Sequence, residues 1–202
     1  ANTPGWWHGY NDVAPPWLQA YLGVEQAASV IRSYEVQFIP GLLQTEDYAR
    51  AVIGLDAEFK TPGEIERLVE LRMRRQRILH RSEPPRLWAV IDEGALRRPI
   101  GGRETMRGQI RHLLRMCELP HVTVQVMPFS AGGHAAAGGP VTVLRLPASE
   151  LPDVVYLEQL TGADFPDRPS EIEYYRHVMN RLATEAESPE KSRETLIRML
   201  DE

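Results

Sequence analysis

Two adjacent carboxylates, Asp92 and Glu93, follow an apolar run and lead directly into a turn-like Gly-Ala-Leu segment. Carboxylates at the end of a strand can face a cleft, where they bind a cationic ligand or act as general acid and base. The position also suits a local role, in which one carboxylate caps the turn and pairs with Arg97 or Arg98. Both interpretations stay open, and Asp92, Glu93 and Arg97 are candidate ligand-binding residues.

A glycine-rich segment, residues 130–139, follows the predicted strand end at Met127-Pro128-Phe129. Glycine backbones let N–H groups approach a ligand closely, so a pocket rim is predicted at Phe129, Gly132, Gly133 and His134. A flexible lid or a plain surface loop fits the same residues. The spacing matches neither a P-loop nor a dinucleotide fingerprint, and His134 has no second His or Cys at metal-ligand spacing.

Tyr156 and Glu158 are two residues apart in an alternating run, so they share one face of a predicted strand. They can point together into a cavity, where a buried Glu158 would need a polar partner. Gln125, in an earlier alternating run, is the predicted partner on a neighbouring strand. The alternative is that Glu158 pairs with an arginine on a solvated face of the sheet.

The chain contains no nucleophile elbow with partner His and Asp residues, no paired-metal motif and no pair of redox cysteines. The sequence therefore assigns no catalytic residue, no metal ligand and no cofactor. The lone Cys117 ends an apolar helical run and is explained as a small buried hydrophobe. A single cysteine permits no disulfide within the chain, which favours a cytoplasmic location.

The net charge and hydropathy exclude two classes of partner for the chain itself. Its 202 residues carry a formal net charge of −5. Phosphate neutralisation needs a basic face, so DNA binding is expected only through an attached module. No run of about 18 apolar residues occurs, so no contact with a membrane through a spanning helix is expected.

Helical patterns at both ends enclose a strand-rich middle, which predicts an α+β fold. The expected architecture is a central mixed or antiparallel sheet of about 4–6 strands, flanked by helices. The predicted helices are a short one after Pro15-Pro16, then 45–53, 62–81, 103–118, 169–186 and a last one after Ser188. The predicted strands are 29–38, 86–91, 121–129, 140–146 and 153–160.

Five ordered segments resemble one known family. They are Trp6-Trp7 with 21–25, Ile39 to Val52, 71–79, 91–102, and Val122 to Gly133. The chain resembles the domain of unknown function found C-terminal to helix-turn-helix modules of the lambda-repressor or xenobiotic-response type in actinomycete-type transcriptional regulators. The resemblance implies a DNA-reading module N-terminal to residue 1 and a small companion protein as partner.

Residues 1–202 are therefore expected to form a single regulatory domain that senses a small-molecule effector or a small companion protein. Whether the effector or companion protein is bound would then be transmitted to the attached DNA-reading module. The alternative is a hydrolase or transferase that uses Asp92, Glu93 and Glu158 in a cleft. A dimerisation module is a third hypothesis, because lambda-repressor-type readers bind DNA as two-fold dimers.

Overall fold

The computed structural model describes residues 4–202, so residues 1–3 of the predicted domain lie outside the described residues. The described part contains seven α-helices and a six-stranded sheet. The helices are α1 (Pro16–Ala27), α2 (Glu46–Ile53), α3 (Pro62–Arg75), α4 (Glu93–Arg97), α5 (Arg103–Met116), α6 (Pro169–Glu185) and α7 (Pro189–Asp201). The strands are β1 (Val30–Glu35), β2 (Arg86–Asp92), β3 (Val122–Met127), β4 (Val141–Arg145), β5 (Val154–Gln159) and β6 (Gly162–Asp164).

The sheet is mixed, with strand order β3-β2-β1-β4-β5-β6. Strands β1, β2 and β3 run parallel, and β4, β5 and β6 add to the β1 side in antiparallel order. Parallel neighbours need crossover connections, which the helix pairs α2–α3 and α4–α5 supply. The prediction of an α+β fold with a mixed sheet flanked by helices is confirmed.

Helix boundaries follow local capping chemistry. Thr61 and Glu64 form a reciprocal capping box at the start of α3, and Thr45 accepts from the Tyr48 N–H at the start of α2. Ser188 caps α7 in the same way, by accepting from the Lys191 N–H. The predicted helix 62–81 is α-helical only to Arg75, after which residues 76–80 tighten into a 3-10 turn.

Strand β1 stops at Glu35, short of the predicted end at residue 38. On one side its parallel partner β2 is almost finished, because Glu35 lies opposite Ile91 and α4 begins at Glu93. On the other side β4 begins only at Val141, after a proline that has no N–H to donate. With both ladders ending, the backbone has no partners for further extension.

Alternating side chains divide the sheet into two covered faces. The first face packs against α1, α2, α5 and α7, and its core includes Ile31, Leu87, Ala89, Val124, Leu144, Tyr156, Ile110, Leu113 and Leu196. The second face packs against α6, and its core includes Tyr34, Val90, Val143, Val155, Val178, Met179 and Leu182. No helix within residues 4–202 is both long enough and apolar enough to cross a membrane.

Candidate functional site

A cleft of about 720 Å³ opens on the first face of the sheet, between strands β1, β4 and β5 and helix α3. Its floor follows a row of paired residues, in which Ser33 of β1 lies beside Thr142 of β4 and Thr142 lies beside Tyr156 of β5. Ile31 and Glu35 occupy the same face of β1 on either side of Ser33. The cleft therefore has a floor that becomes more polar from Ile31 to Glu35.

Residues 37–44 form one wall of the cleft, and from Ile39 onward they belong to the Ile39 to Val52 segment. Side chains fix this wall by bonding to its backbone. Gln44 Nε2 donates to the Ile39 carbonyl at 2.7 Å, and the Ile39 N–H donates to Tyr48 Oη at 3.1 Å. Gln76 Nε2 donates to the carbonyls of Gly41 and Gln44 at 2.9 and 2.7 Å. The wall is thus held in place by bonds that secondary structure does not provide.

Arg75 of α3 is fully committed to a structural ion pair. Its Nε and Nη2 donate to the two carboxylate oxygens of Glu25 at 3.0 and 2.8 Å, and the Glu25 side chain is 0% exposed. Burial alone would lower the pKa of Arg75, but the charge and hydrogen bonds of Glu25 outweigh it and raise that pKa. This pair closes the back of the cleft without offering a charge to a ligand.

Arg72, three residues earlier on α3, lines the same cleft without a carboxylate partner. Within residues 4–202 its guanidinium donates one side-chain hydrogen bond, from Nη1 to Gln44 Oε1 at 3.0 Å. Burial, and then the neighbouring charge of Arg75, lowers the pKa of Arg72 to about 10. The cleft therefore contains a half-buried cation whose remaining donors are available.

Glu35 and Glu158 face the cleft from β1 and β5. Burial, reinforced by the negative charge of Glu158 and only partly opposed by Arg72, raises the pKa of Glu35 to about 8. Glu158 itself is exposed at the mouth. Neither carboxylate forms an ion pair with any side chain of the described chain, although Arg72 lies close enough for its charge to act on both.

Ser33 is a second polar group of the cleft that the fold leaves unsatisfied. Its side chain is 5% exposed, and its Oγ has no hydrogen-bond partner anywhere in the described residues. An unpaired buried hydroxyl costs about 1–3 kcal/mol, so native structures seldom keep one without a use. The hydroxyl lies on the cleft floor, on the same face of β1 as Glu35 and two residues before it.

Aromatic and aliphatic side chains form much of the remaining lining. The rings of Tyr21 and Tyr156 pack with centroids 4.1 Å apart, and Phe165 packs against Tyr156 at 5.3 Å. Leu55 and Leu160 stand at the mouth, where they are 62% and 104% exposed. Exposed leucines beside a polar-floored cleft are typical of a ligand entrance.

Of the ten sequence-predicted site residues, two line this cleft, namely Tyr156 and Glu158. The structure does not bring the others to it. Asp92 caps α4 by accepting from the Gly94 N–H at 2.7 Å, and Glu93 accepts from the Phe129 N–H and from Arg97 Nε, both at 2.7 Å. Burial alone would raise the pKa of Glu93, but these two bonds outweigh it and lower that pKa. The local interpretation of the carboxylate pair thus matches the geometry.

The expectation that Gln125 lies beside Tyr156 and Glu158 is wrong. Gln125 is on the edge strand β3, separated from β5 by three strands, and it points to the α6 face of the sheet. Its side chain is satisfied there, since Oε1 accepts from Trp88 Nε1 at 2.6 Å and Nε2 donates to the carbonyls of Ala183 and Glu187. The reason is the strand order: β4 inserts beside β1, far from β3.

The glycine-rich loop also lies on the α6 face and does not rim the cleft, which opens on the first face. Gly132 and Gly133 are exposed, as is Phe129, and only Pro140 at the end of the connection reaches the cleft. His134 packs against Tyr34, with 2.9 Å between Nε2 and Oη. The Ala136 N–H donates to His134 Nδ1 at 3.2 Å, so the neutral ring carries its proton on Nε2.

Sequence reasoning missed Glu35, Arg72, Ser33 and Gln44. One signal was present in α3, where Arg72 interrupts the apolar row that continues from Leu68 at helical spacing. For Ser33 and Glu35 the alternation of β1 is equally compatible with a solvated face, so only the folded arrangement of α3 and β1 around one cavity reveals the cleft. Across residues 4–202, no three His, Cys, Asp or Glu side chains lie together in a way that could hold a metal ion.

Comparison with known proteins gives one match. The model of the family described as Domain of unknown function (DUF5753) matches residues 18–198. No curated protein and no solved structure matches the chain. The matched range includes every element that builds the cleft, from Leu18 of α1 to the β5–β6 turn.

Proposed function

The chain belongs to the DUF5753 family, and from this premise we propose that it is the effector-sensing domain of a helix-turn-helix transcriptional regulator. The cleft between α3 and the sheet is the proposed site for a small-molecule effector. The observation that carries the proposal is a cleft whose apolar and aromatic surface also presents polar groups without partners in the described residues. These are the buried Ser33 hydroxyl, which has no hydrogen-bond partner, and the carboxylates of Glu35 and Glu158, which form no ion pair. Ligand sites combine these same properties, an apolar surface and a few polar groups that orient the ligand.

The size of the cleft supports a small-molecule ligand. Its volume of about 720 Å³ falls within the usual range of about 300–1,000 Å³ for ligand pockets. The wall at residues 37–44 is held by buried side-chain bonds, so the site is largely formed before any ligand arrives. Such preorganisation improves affinity because less conformational entropy is lost on binding.

Helix α3 gives a direct route from the cleft to the N-terminal segment, residues 6–14. One side of α3 lines the cleft through Leu68 and Arg72. On another side Arg67 donates to Asp12 at 2.8 Å, and Glu70 accepts from Tyr10 at 2.7 Å. In our proposal a DNA-reading module precedes this segment, in the cytoplasm, so a ligand that shifts α3 changes how that module is held.

The proposal is tested by blocking the cleft mouth. A small-molecule screen by thermal shift on the chain should yield a compound that, at about 100 times its Kd, raises Tm by about 5–10 °C. Leu55→Trp fills the mouth and should abolish this shift, whereas Leu151→Trp, an exposed leucine outside the cleft, should preserve it. The same compound should change the DNA affinity of the regulator that carries the upstream module.

Two results would count against the proposal. If the compound stabilises Leu55→Trp as well as the natural chain, the cleft is not its site. If compounds bind in the cleft but leave DNA affinity unchanged, the regulatory part of the proposal fails. A companion protein captured by the natural chain and by Leu55→Trp alike would assign sensing to another surface.

The alternative enzyme required Asp92, Glu93 and Glu158 in one cleft. Asp92 ends β2 and Glu93 begins α4, and both are bonded locally, whereas Glu158 is on β5, with β1 and β4 in between. No observation in the described residues favours that constellation, so we propose no hydrolase or transferase activity.

A further inference from the structure

The registers of β1, β4 and β5 place Glu35 and Glu158 on opposite sides of one residue. Tyr34 pairs with Val141, and Tyr156 pairs with Thr142. If the β1–β4 register is extended by one residue, Glu35 lies opposite Pro140. If the β4–β5 register is extended by two residues, Pro140 lies opposite Glu158. Pro140 therefore lies between the two glutamates. Two strand spacings separate their backbones by about 10 Å, and both side chains line the cleft. A gap of this size suits one compact cation held by both carboxylates.

We propose that the cleft recognises an amine carried on an apolar body, and that Glu35 and Glu158 hold its ammonium group. This inference rests on the proposed sensing function and names the chemical class of its effector. An ammonium presents three N–H donors, so two carboxylates leave one donor to satisfy. The buried Ser33 Oγ, which has no partner in the described residues, is the acceptor on the floor below.

The charge balance of the cleft favours a cation over an anion. Arg75 is neutralised by Glu25, and Asp56 at the mouth is paired with Lys60 at 2.9 Å. What remains is one positive charge, Arg72, against the two carboxylates when Glu35 is ionised. A bound cation restores neutrality, whereas a carboxylate or phosphate ligand would have to approach two like charges.

Arg72 then acts against the ligand. Its charge lowers the local attraction for an ammonium, and its bond to Gln44 holds it on the wall beside the site. Tyr21, Tyr156 and Leu18 supply the surface for the apolar body, and the faces of the two tyrosines also attract a cation. The proposal therefore makes opposite predictions for Glu35 and Arg72, which lie in the same cleft.

Three matched probes test the charge preference: 3-phenylpropylamine, 3-phenylpropan-1-ol and 3-phenylpropionate. Their affinities for the whole chain are measured by calorimetry or ligand-observed NMR at pH 8.5. The amine should bind at least about tenfold more tightly than the alcohol, and the carboxylate should bind least. Glu35→Gln should weaken the amine about tenfold and leave the alcohol unchanged, while Arg72→Met should tighten the amine several-fold.

Glu83→Gln serves as the charge control, because Glu83 is exposed and outside the cleft. The thermal midpoint of each variant shows that it is folded at the assay temperature. Two results would overturn the amine inference and leave the sensing proposal standing. The first is binding of the carboxylate probe that depends on Arg72, and the second is an amine affinity that Glu35→Gln does not change. If none of the three probes binds, but a compound from the screen binds the natural chain and not Leu55→Trp, only the amine inference is removed. If no compound binds the cleft at all, both ideas fall.

Discussion

Helix α3 presents two arginines to carboxylates in two different ways, one to the buried Glu25 and one to the half-buried Glu35. Arg75 donates to both oxygens of Glu25, at 3.0 and 2.8 Å, and this pair has no access to a ligand. Arg72 instead bonds to the neutral Gln44, while Glu35 faces it across the cleft without pairing. The same two residue types, three positions apart on α3, thus form one closed arrangement and one open arrangement.

The difference shows how to separate structural charges from functional ones in this fold. In the closed pair the Coulomb attraction and two hydrogen bonds offset the loss of hydration. In the open arrangement burial is not offset, and this raises the pKa of Glu35 to about 8 and lowers that of Arg72 to about 10. Perturbed groups of this kind concentrate at binding and catalytic sites.

The largest effect is expected from breaking the closed pair. Arg75→Met leaves the Glu25 carboxylate, which is 0% exposed, without its counter-ion. Loss of one partner of a buried pair costs about 3–5 kcal/mol, because the remaining charge is neither hydrated nor neutralised. Denaturant unfolding at neutral pH, followed by fluorescence, measures this loss directly.

Its control removes both charges. Glu25→Leu combined with Arg75→Met should recover most of the lost stability, because an apolar pair of similar volume has no buried charge to compensate. A single Arg75→Met variant that loses less than about 1 kcal/mol would show that the pair is not closed in the way described here.

The second-largest effect is a pH-dependent gain in folding stability from Glu35→Gln. The unfolded chain releases this proton near the ordinary pKa of 4.5, and the folded protein releases it near 8. Between these values the folded state holds a proton that the unfolded state has lost, so stability falls as the pH rises. The amide cannot ionise, so the variant should escape this decline and be more stable at pH 8.5 by on the order of 1–3 kcal/mol.

The unfolding free energies of the two proteins should converge near pH 4.5 and diverge up to about pH 8. The groups whose charges act with that of Glu35 are Glu158, Tyr156 and Arg72 in the cleft, Tyr48 behind its wall, and Tyr34 on the other face of the sheet. All of them are retained in the variant. A difference that is constant across pH, or one that grows toward acid, would refute the assignment. Glu83→Gln should follow the natural chain throughout.

A third carboxylate, Asp92, belongs neither to the closed ion pair nor to the open arrangement in the cleft. It is half-buried and caps α4 through one bond of 2.7 Å to the Gly94 N–H. Asp92→Ala should cost about 1 kcal/mol, the usual loss for an N-cap, with no change in binding of the amine probe. A larger loss of binding than of stability would mean that Asp92 contacts the ligand after all.

Most of the fold was accessible from the sequence because its signals are local. Thr45, Thr61 and Ser188 are helix caps that act on residues three positions away, and each predicted helix start is found there. The strand order was not accessible, since 13 residues, 128–140, connect the edge strand β3 to β4, which then pairs with β1 on the far side of β2. Nothing in that connection specifies its destination.

The candidate site was less accessible for the same physical reason. Tyr156 and Glu158 were identified because they stand two apart on one strand, which is a local property. Glu35, Ser33 and Arg72 become site residues only when the fold brings α3 and β1, distant parts of the chain, to the walls of one cleft. The carboxylates at Asp92 and Glu93 look equally functional in sequence, yet nearby N–H groups satisfy them in the fold.

The smallest effect should come from repeating the first substitution three residues earlier. Arg72→Met removes a poorly paired, half-buried charge, which is favourable, and leaves Gln44 Oε1 without its donor, which is unfavourable. These contributions oppose each other, so unfolding free energy should stay within about 0.5 kcal/mol of the natural chain. The same chemical change on the same helix would then differ about six- to tenfold in its effect on the unfolding free energy, about 0.5 against about 3–5 kcal/mol. Equal losses at the two positions would mean that Arg72 is as structural as Arg75, and the cleft would lose its distinguishing charge.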